Sequence, residues 1–409
     1  MNVLLRVASA ILATALSLQA GAADAPPAAP LPTAKCLAPT PDRVANHACA
    51  VGLAKHADSE RTAGRNDAAL AALARADQFS PEDLRFAMAH AGLSLKVANQ
   101  LTPAGMEAAA KAAPDDVGLT MLHAELMLSK KDFSATVADL DRVLAKRPDA
   151  LQAWEMRASA NVARPDFDAA RADVDHALRL EPRSPATLRL RGILRNNSGD
   201  YTGALADYEA AHTLAPRPED PFVIGSTQFL QRQFGDAAAS LAKRAPATPD
   251  GIYWRLWRYM ALARLDGIER ASGSLGPGTP PGAGVAWPGP VVDFFHGTID
   301  APLLMEAAKK SQAAHDLSQV CEAHFYMAED ALLHQQGDAV ALFRQAVQEC
   351  PKNFHEYEGA VAELRAAGVP LMAPGPTLAA ASAASAASAA SAASAASAPK
   401  AAASAASAP

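Results

Sequence analysis

A 34-residue period between Asp116 and Pro216 is the feature that most restricts the fold of this 409-residue chain. Five kinds of position keep this spacing: an aromatic position, two small positions, one bulky position and a closing proline. They are Phe133, Phe167 and Tyr201; Ala124, Ala158 and Gly192; Thr136, Ala170 and Ala204; Leu140, Val174 and Tyr208; and Pro148, Pro182 and Pro216. A random alanine-rich bundle would not hold five positions in phase, so the pattern predicts a stacked repeat.

Each unit is predicted to form two amphipathic helices, because its apolar residues recur every three to four positions. In one unit, helix A covers residues 151–163 and helix B about 165–180. Small side chains at Ala158 and Ala170 let the two helices approach closely, and Pro182 ends helix B because proline cannot continue it. One hairpin cannot bury its apolar face alone, so the units must stack into a solenoid. The sequence therefore predicts an all-α fold.

The phase of small, aromatic and proline positions resembles the tetratricopeptide repeat (TPR) family. This resemblance implies a right-handed superhelix whose concave groove is lined by the A helices. It also implies a chain that binds protein partners rather than one that catalyses a reaction.

Six segments are predicted along the chain. They are a signal peptide (1–22), an irregular leader (23–40), a TPR solenoid (41–271), a Gly/Pro-rich loop (272–290), a C-terminal helical module (291–368) and a low-complexity Ala/Ser tail (369–409). The signal peptide is inferred from Arg6, the apolar run 7–18 and the small residues 20–22. A retained N-terminal helix is the alternative. The first cysteine after this site is Cys36, so we expect a periplasmic protein without a lipid anchor.

The tail from residue 377 consists largely of Ala-Ala-Ser triplets and has no large apolar side chain after Leu378. Such a segment cannot build a core. We therefore predict that it is disordered and makes no stable contact with the solenoid.

The C-terminal module resembles the corresponding part of the bacterial TPR protein NlpI and its periplasmic relatives over residues 287–366. The matching residues are Trp287, Phe294, Gly297, Phe325, Tyr326, Gly337, Asp338, Leu342, Phe343, Ala346, Asn353, Phe354, Glu363 and Leu364. The resemblance implies partners among tail-specific proteases and among peptidoglycan hydrolases or synthases. The alternative is an assembly factor for an envelope machine, such as a pilus, a secretion system or an exopolysaccharide exporter.

Composition and motifs argue against several other classes. The formal net charge of −6 does not suggest the basic face that nucleic acid requires. No phosphate-binding loop, GxSxG or HExxH motif occurs, so we expect no enzymatic activity and no cofactor. The apolar run near the N-terminus is too short to span a membrane comfortably.

The four cysteines favour two disulfides if the chain is secreted. Cys321 begins one predicted helix and Cys350 ends the next, so an antiparallel hairpin brings them together. Cys36 and Cys49 are close in sequence. Metal binding is the weaker alternative, because no CxxC or HxxxH pattern supports it.

The candidate binding residues are those of helix A that point away from the packing positions. They are Gln152, Glu155, Ser159, Arg189, Ile193, Asn196, Asn197, Phe222 and Phe229. We predict polar contacts from Arg189, Asn196 and Asn197, and apolar anchors from Phe222 and Phe229. Solvated side chains are the alternative for the polar residues, and core packing is the alternative for the phenylalanines. The aromatic residues Tyr253, Trp254, Trp257 and Tyr259 are interpreted as core rather than as a ligand cage.

Overall fold

The computed structural model describes residues 36, 38–243, 250–278, 286–310 and 318–371. The described ranges are helical and contain no β-strand, which confirms the all-α prediction. The helices are α1 (Arg43–Thr62), α2 (Asn66–Phe79), α3 (Leu84–Val97), α4 (Pro103–Ala112), α5 (Val117–Ser129), α6 (Phe133–Lys146), α7 (Leu151–Ala163), α8 (Phe167–Leu180), α9 (Pro185–Ser198), α10 (Tyr201–Leu214), α11 (Asp220–Leu230), α12 (Phe234–Ala242), α13 (Asp250–Asp266), α14 (Ile268–Ala271), α15 (Gly289–Phe295), α16 (Ala301–Lys310), α17 (Ser318–His334), α18 (Ala339–Glu349) and α19 (His355–Ala366).

Three predicted segments fall wholly or largely outside these ranges. The signal peptide, nearly all of the leader and the Ala/Ser tail from residue 372 are among the residues that the structure does not describe. The predictions about them stay predictions. None of the helices in the described ranges is long and apolar enough to cross a membrane.

Each B helix of the phased segment begins at the recurring aromatic position. Phe133, Phe167 and Tyr201 are the first residues of α6, α8 and α10. The preceding aspartates, Asp132, Asp166 and Asp200, are N-cap residues whose side chains accept a hydrogen bond from an amide three residues later. This bond satisfies an amide that would otherwise lack a partner at the helix start. The repeated aspartate and aromatic residue therefore determine where each B helix starts.

The small positions lie where the two helices of a hairpin cross, as predicted. Ala158 on α7 and Ala170 on α8 have no exposed surface. In the next hairpin, Gly192 on α9 lies against the ring of Tyr208 on α10. A Cβ at residue 192 would come within 2.6 Å of Tyr208 Cε1, which is too close for a real contact. Glycine is needed there because Tyr208 fills the space that Leu140 and Val174 leave free.

A second periodic feature joins the two helices of each hairpin. A basic residue on helix A contacts a buried aspartate 16 positions later on helix B, with N–O distances of 2.6 Å in each case: His123 with Asp139, Arg157 with Asp173, and Arg191 with Asp207. A buried carboxylate costs stability unless it is hydrogen-bonded or paired with a cation. These contacts therefore stabilise one pairing of helix A with helix B in each unit.

One continuous hydrophobic core connects the helices on both sides of the predicted 272–290 loop. It extends from Ala204 on α10 to Leu364 on α19. Its centre is Trp257 of α13, which is fully buried. The predicted solenoid and the predicted C-terminal module thus share one core.

Rings from three other helices surround Trp257. Phe222 and Phe229 of α11 lie 6.3 and 5.3 Å from it, Phe325 of α17 lies 5.7 Å away, and His355 of α19 lies 6.2 Å away, all between ring centroids. The core interpretation of the aromatic stretch on α13 agrees with this packing. The helix α19 therefore closes back onto α11 across α13 and α17.

Candidate partner-binding face

The predicted groove face includes Phe222 and Phe229 of α11 and seven residues of the two preceding A helices. These seven are Gln152, Glu155, Ser159, Arg189, Ile193, Asn196 and Asn197. These residues lie on α7 and α9, the A helices of two neighbouring repeats. The structure brings them onto these two helices as predicted, and it gives most of their polar groups partners within the chain. Whether they contact another protein stays a prediction.

Arg189 of α9 is buried in an ion pair with Asp220 at the start of α11. Its Nε and Nη2 each lie 2.8 Å from a different carboxylate oxygen, and Nη2 also donates to the carbonyl of Ala215 at 2.5 Å. Burial acts to raise the pKa of Asp220, but hydrogen bonds from Arg189, His212 and the Arg217 amide hold it below its usual range. Arg189 therefore joins two repeats and does not project into an open groove.

Asn196 and Asn197 point in different directions. Asn196 is 3% exposed, and its side-chain amide donates to the hydroxyl of Thr227 on α11 at 2.9 Å. Its Oδ1 has no hydrogen-bond partner in the described ranges. Asn197 is half-buried, and its side-chain amide donates to the backbone carbonyl of Lys352, just before α19, at 3.0 Å. Asn197 is thus a residue of this face that holds a distant backbone segment.

Gln152 and Glu155 bind the starts of neighbouring helices. Gln152 Oε1 accepts a hydrogen bond of 3.0 Å from the amide of Leu84, the first residue of α3. Glu155 Oε1 accepts hydrogen bonds from the hydroxyls of Ser184 and Thr187 at the start of α9. Burial raises the pKa of Glu155 above its usual range, while these two hydrogen bonds lower it. Both residues therefore connect repeats within the chain.

Phe222 and Phe229 lie in the core around Trp257, with 6% and 1% of their surfaces exposed. The prediction that these two phenylalanines are apolar anchors in the groove is therefore wrong. The reason is the register: Phe222 follows the buried Leu188 by one period, so it occupies a packing position of helix A. Core packing was the alternative that the sequence left open.

The turn before α10 lies close to the C-terminal end of α19. Arg365 Nη1 lies 3.5 Å from the hydroxyl of Tyr201, and the same guanidinium approaches Gly199 so closely that a Cβ there would meet it at 2.1 Å. Together with the Asn197 contact, this places α19 and the residues before it against the end of the predicted groove face. The sequence did not indicate this contact, because the residues are more than 150 positions apart.

The four cysteines are paired as the sequence indicated. Cys36 and Cys49 have Cα atoms 5.6 Å apart, and Cys321 and Cys350 have Cα atoms 5.0 Å apart, with the sulfurs of each pair at bonding distance. These Cα distances lie within the range that disulfides need. Among the described residues, no group of three or more His, Cys, Asp or Glu side chains is arranged to hold a metal ion.

A cluster of buried polar residues near α17 was missed at the sequence level. Glu322 of α17 is 3% exposed, and its Oε2 accepts hydrogen bonds from the hydroxyl of Tyr253 at 2.8 Å and from Nε1 of Trp287 at 2.6 Å. Glu356 of α19 accepts one from the hydroxyl of Tyr326 at 2.8 Å. The two glutamates are 34 residues apart, so the repeat period itself could have identified them.

Comparison with known proteins supports the repeat assignment over part of the chain. The family model of the tetratricopeptide repeat matches residues 156–224, which cover α8, α9 and α10 and parts of α7 and α11. No curated protein matches the sequence significantly.

Solved structures of TPR proteins share a weak likeness with this chain. A TPR protein from Parabacteroides merdae is 15% identical, with 55% of this chain and 90% of that chain covered and a TM-score of 0.37. A thermophilic TPR protein from Thermus thermophilus is 18% identical, with 52% and 98% covered and a TM-score of 0.31. Yeast Tom70 is 14% identical, with 80% and 55% covered and a TM-score of 0.25. With TM-scores below 0.5, these likenesses carry no argument about function.

The repeat assignment thus stands on the phase of the sequence, on the helical hairpins and on the matching family model. Residues 156–224 of this chain form tetratricopeptide repeats, within a longer all-α array of helical hairpins.

Proposed function

We propose that this protein is a periplasmic, non-catalytic adaptor that binds other envelope proteins through the A-helix side of its repeats. A TPR fold suggests a scaffold for protein–protein interaction, because stacked hairpins present a long surface built from many modest contacts. The expected signal peptide and the two disulfide pairs support an oxidising compartment outside the cytoplasm.

The observation that carries this proposal is the hydrogen bond from Asn197 to the carbonyl of Lys352. A side-chain amide on helix A here holds the backbone of a segment 155 positions away in the chain. A side chain that captures a backbone carbonyl needs no particular sequence in its partner. The same face is therefore chemically suited to hold a backbone segment of another protein.

The NlpI-like residues between 287 and 366 support a more specific partner class. We propose tail-specific proteases and peptidoglycan hydrolases or synthases as the first partners to test. Lys352 of this region contacts Asn197 on α9, so part of the region lies beside an A helix that would contact the partner.

The test is affinity capture of the tagged full-length protein from the periplasm of its native host after brief crosslinking, with an untagged strain as the control. Enrichment of a tail-specific protease or a cell-wall hydrolase is the expected result. Enrichment of subunits from a pilus, secretion or exopolysaccharide complex would favour the assembly-factor alternative. Recovery of no protein above the control at native expression levels would contradict an adaptor function.

A further inference from the structure

Four buried glutamates form two pairs between α17 and α19. Glu322 and Glu329 lie on α17, and Glu356 and Glu363 lie 34 residues later on α19. All four are at most 8% exposed. Between the pairs, Gly359 of α19 packs directly on the ring of Phe325, so that a Cβ at residue 359 would come within 2.6 Å of it. The two helices are therefore in close contact along this row of carboxylates.

One of the two pairs has cationic partners. Arg264 of α13 lies 3.3 Å from Glu329 and 2.9 Å from Glu363, and Arg232 lies 3.2 Å from Glu363. Burial raises the pKa of Glu329 to about 7, and the positive charge of Arg264 opposes this rise. Two arginines thus offset much of the negative charge at this end of the helices.

Among the described residues, the donors to the other pair are all neutral. Glu322 accepts from Tyr253 of α13 and from Trp287 before α15, and Glu356 accepts from Tyr326 of α17. Within the described ranges, neither carboxylate forms an ion pair with a lysine, arginine or histidine. The histidines close to Glu322 and Glu356 in the sequence contact other carboxylates. His324 contacts Glu349 at 2.7 Å, and His355 contacts Glu358 at 3.4 Å.

The Glu322 and Glu356 carboxylates are close enough to interact, and they repel each other when both are charged. Burial, together with the nearby charge of Glu356, raises the pKa of Glu322 to about 8, although the hydrogen bonds from Trp287 and Tyr253 lower it. A proton on Glu322 removes this repulsion, and the neutral carboxyl can still accept hydrogen bonds from Tyr253 and Trp287.

We propose that Glu322 and Glu356 form a proton-dependent clasp that holds α19 in place and loosens it as the pH rises. The helix α19 packs on α11 and α17, and the ring of its first residue, His355, lies 5.0 Å from that of Phe222. Loosening of α19 would uncover Phe222 and would free Asn197 from Lys352. The clasp thus controls access to the end of the predicted groove face.

The direction of the pH effect follows from the difference between the closed and the open state. With α19 open, an exposed Glu322 carboxyl on α17 would titrate near the ordinary glutamate pKa of about 4.3. Because the closed state binds the proton more tightly, it loses stability as the pH rises from about 4.3 to the pKa of about 8 in the closed state. Opening of α19 releases one proton in this window. The equilibrium constant for opening, here called the opening constant, therefore rises by up to about tenfold per pH unit.

The test is native-state hydrogen exchange of the α19 amides in the full-length protein between pH 5 and pH 8, corrected for the intrinsic pH dependence of exchange. The wild type is compared with Glu322→Gln, which is neutral at every pH and keeps a side-chain oxygen for Tyr253 and Trp287. Glu306→Gln is the matched control, because Glu306 of α16 is more than half exposed and pairs with Lys310. The opening constant of wild type relative to Glu322→Gln should rise by more than tenfold across this range, and that of the control relative to wild type should stay constant.

Parallel pH profiles for wild type and Glu322→Gln would overturn the proposal. A direct titration covers the case in which this variant does not fold. Carbon-13 NMR of the glutamate carboxyl groups in the wild-type protein should find a carboxyl that titrates above pH 7 and that moves to lower pH in Glu356→Gln. If every glutamate carboxyl titrates below pH 6, the clasp does not exist.

Discussion

Arg189 of α9 and Asp220 of α11 form a buried ion pair through two hydrogen bonds of 2.8 Å. The pair connects two successive repeats on the side where the sequence predicted a free binding surface. We predict that Arg189→Ala lowers the free energy of unfolding by about 3–5 kcal/mol, because it leaves the Asp220 charge buried without its cation. Urea denaturation measures this loss.

The control for this change is Arg171→Ala. Arg171 pairs with Asp168 on the exposed side of α8, where an ion pair contributes about 0–1 kcal/mol. Equal, small losses for both variants would show that the Arg189 pair is not buried in solution. The pKa of Asp220 is lowered in the folded state, so its contribution is present above the unfolded pKa of about 3.9 and is lost as the pH falls through the folded pKa.

A second prediction concerns Gly192 and Tyr208. Gly192→Ala places a methyl group within 2.6 Å of the Tyr208 ring and should cost about 1–3 kcal/mol, despite the better helix propensity of alanine. Tyr208→Leu in the same chain should restore most of this loss, because the preceding repeats combine alanine with leucine or valine at these positions. Thermal and urea denaturation of the single and the double variant measure the loss and its recovery.

Gly92 of α3 provides the matched control for this prediction. A Cβ at residue 92 meets no atom within 4 Å, so Gly92→Ala should stabilise the protein by about 0.5–1 kcal/mol. If Gly192→Ala is also stabilising, the close contact between α9 and α10 is wrong.

A third prediction concerns Glu125 of α5. Both of its carboxylate oxygens are buried without a hydrogen-bond partner in the described ranges, and burial raises its pKa to about 7. The folded pKa lies above the unfolded value, so this site costs stability increasingly as the pH rises from about 4.3 to about 7. Glu125→Met should therefore raise the melting temperature more at pH 8 than at pH 5. A larger gain at pH 5 would contradict the burial of an unpaired carboxyl.

A fourth prediction concerns the disulfides. The bond between Cys321 and Cys350 closes a loop across 29 positions, which in the chain-entropy model stabilises the fold by about 3.5 kcal/mol. Thiol titration of denatured, unreduced protein from the periplasm should find almost no free thiol. Cys321→Ser combined with Cys350→Ser should lower the free energy of unfolding by about that amount. Four titratable thiols would contradict both pairings.

Local structure was predictable from the sequence, because the period determines which residues share a hairpin. The crossing of Ala158 with Ala170 follows from neighbours less than one period apart, whereas helix B starts at Phe167 and not at about residue 165 as predicted. The pairing of Cys321 with Cys350 was predictable for the same reason. These contacts depend on the geometry of a single hairpin and need no knowledge of the whole array.

The closure of α19 on α11 was not predictable in this way. Asn197 meets Lys352 and Arg232 meets Glu363 across 155 and 131 positions. Such contacts depend on how far each repeat rotates on the next, and small rotations add up over several units. The 34-residue period gives no information about this rotation. The predicted open groove is therefore partly filled by a helix of the same chain.

Site-specific photo-crosslinking in the native periplasm shows whether partners bind on the A-helix side of the repeats. A photoreactive amino acid is placed at Asn197 on α9 in one variant and at Asp168 in another. Asp168 lies on the B helix of the preceding hairpin, and its side chain is 98% exposed. We predict discrete crosslinked protein species from position 197 and none of the same size from position 168, at equal melting temperatures of the two variants. The same species from position 168 and none from position 197 would show that the partner binds the B-helix side and not the A-helix side.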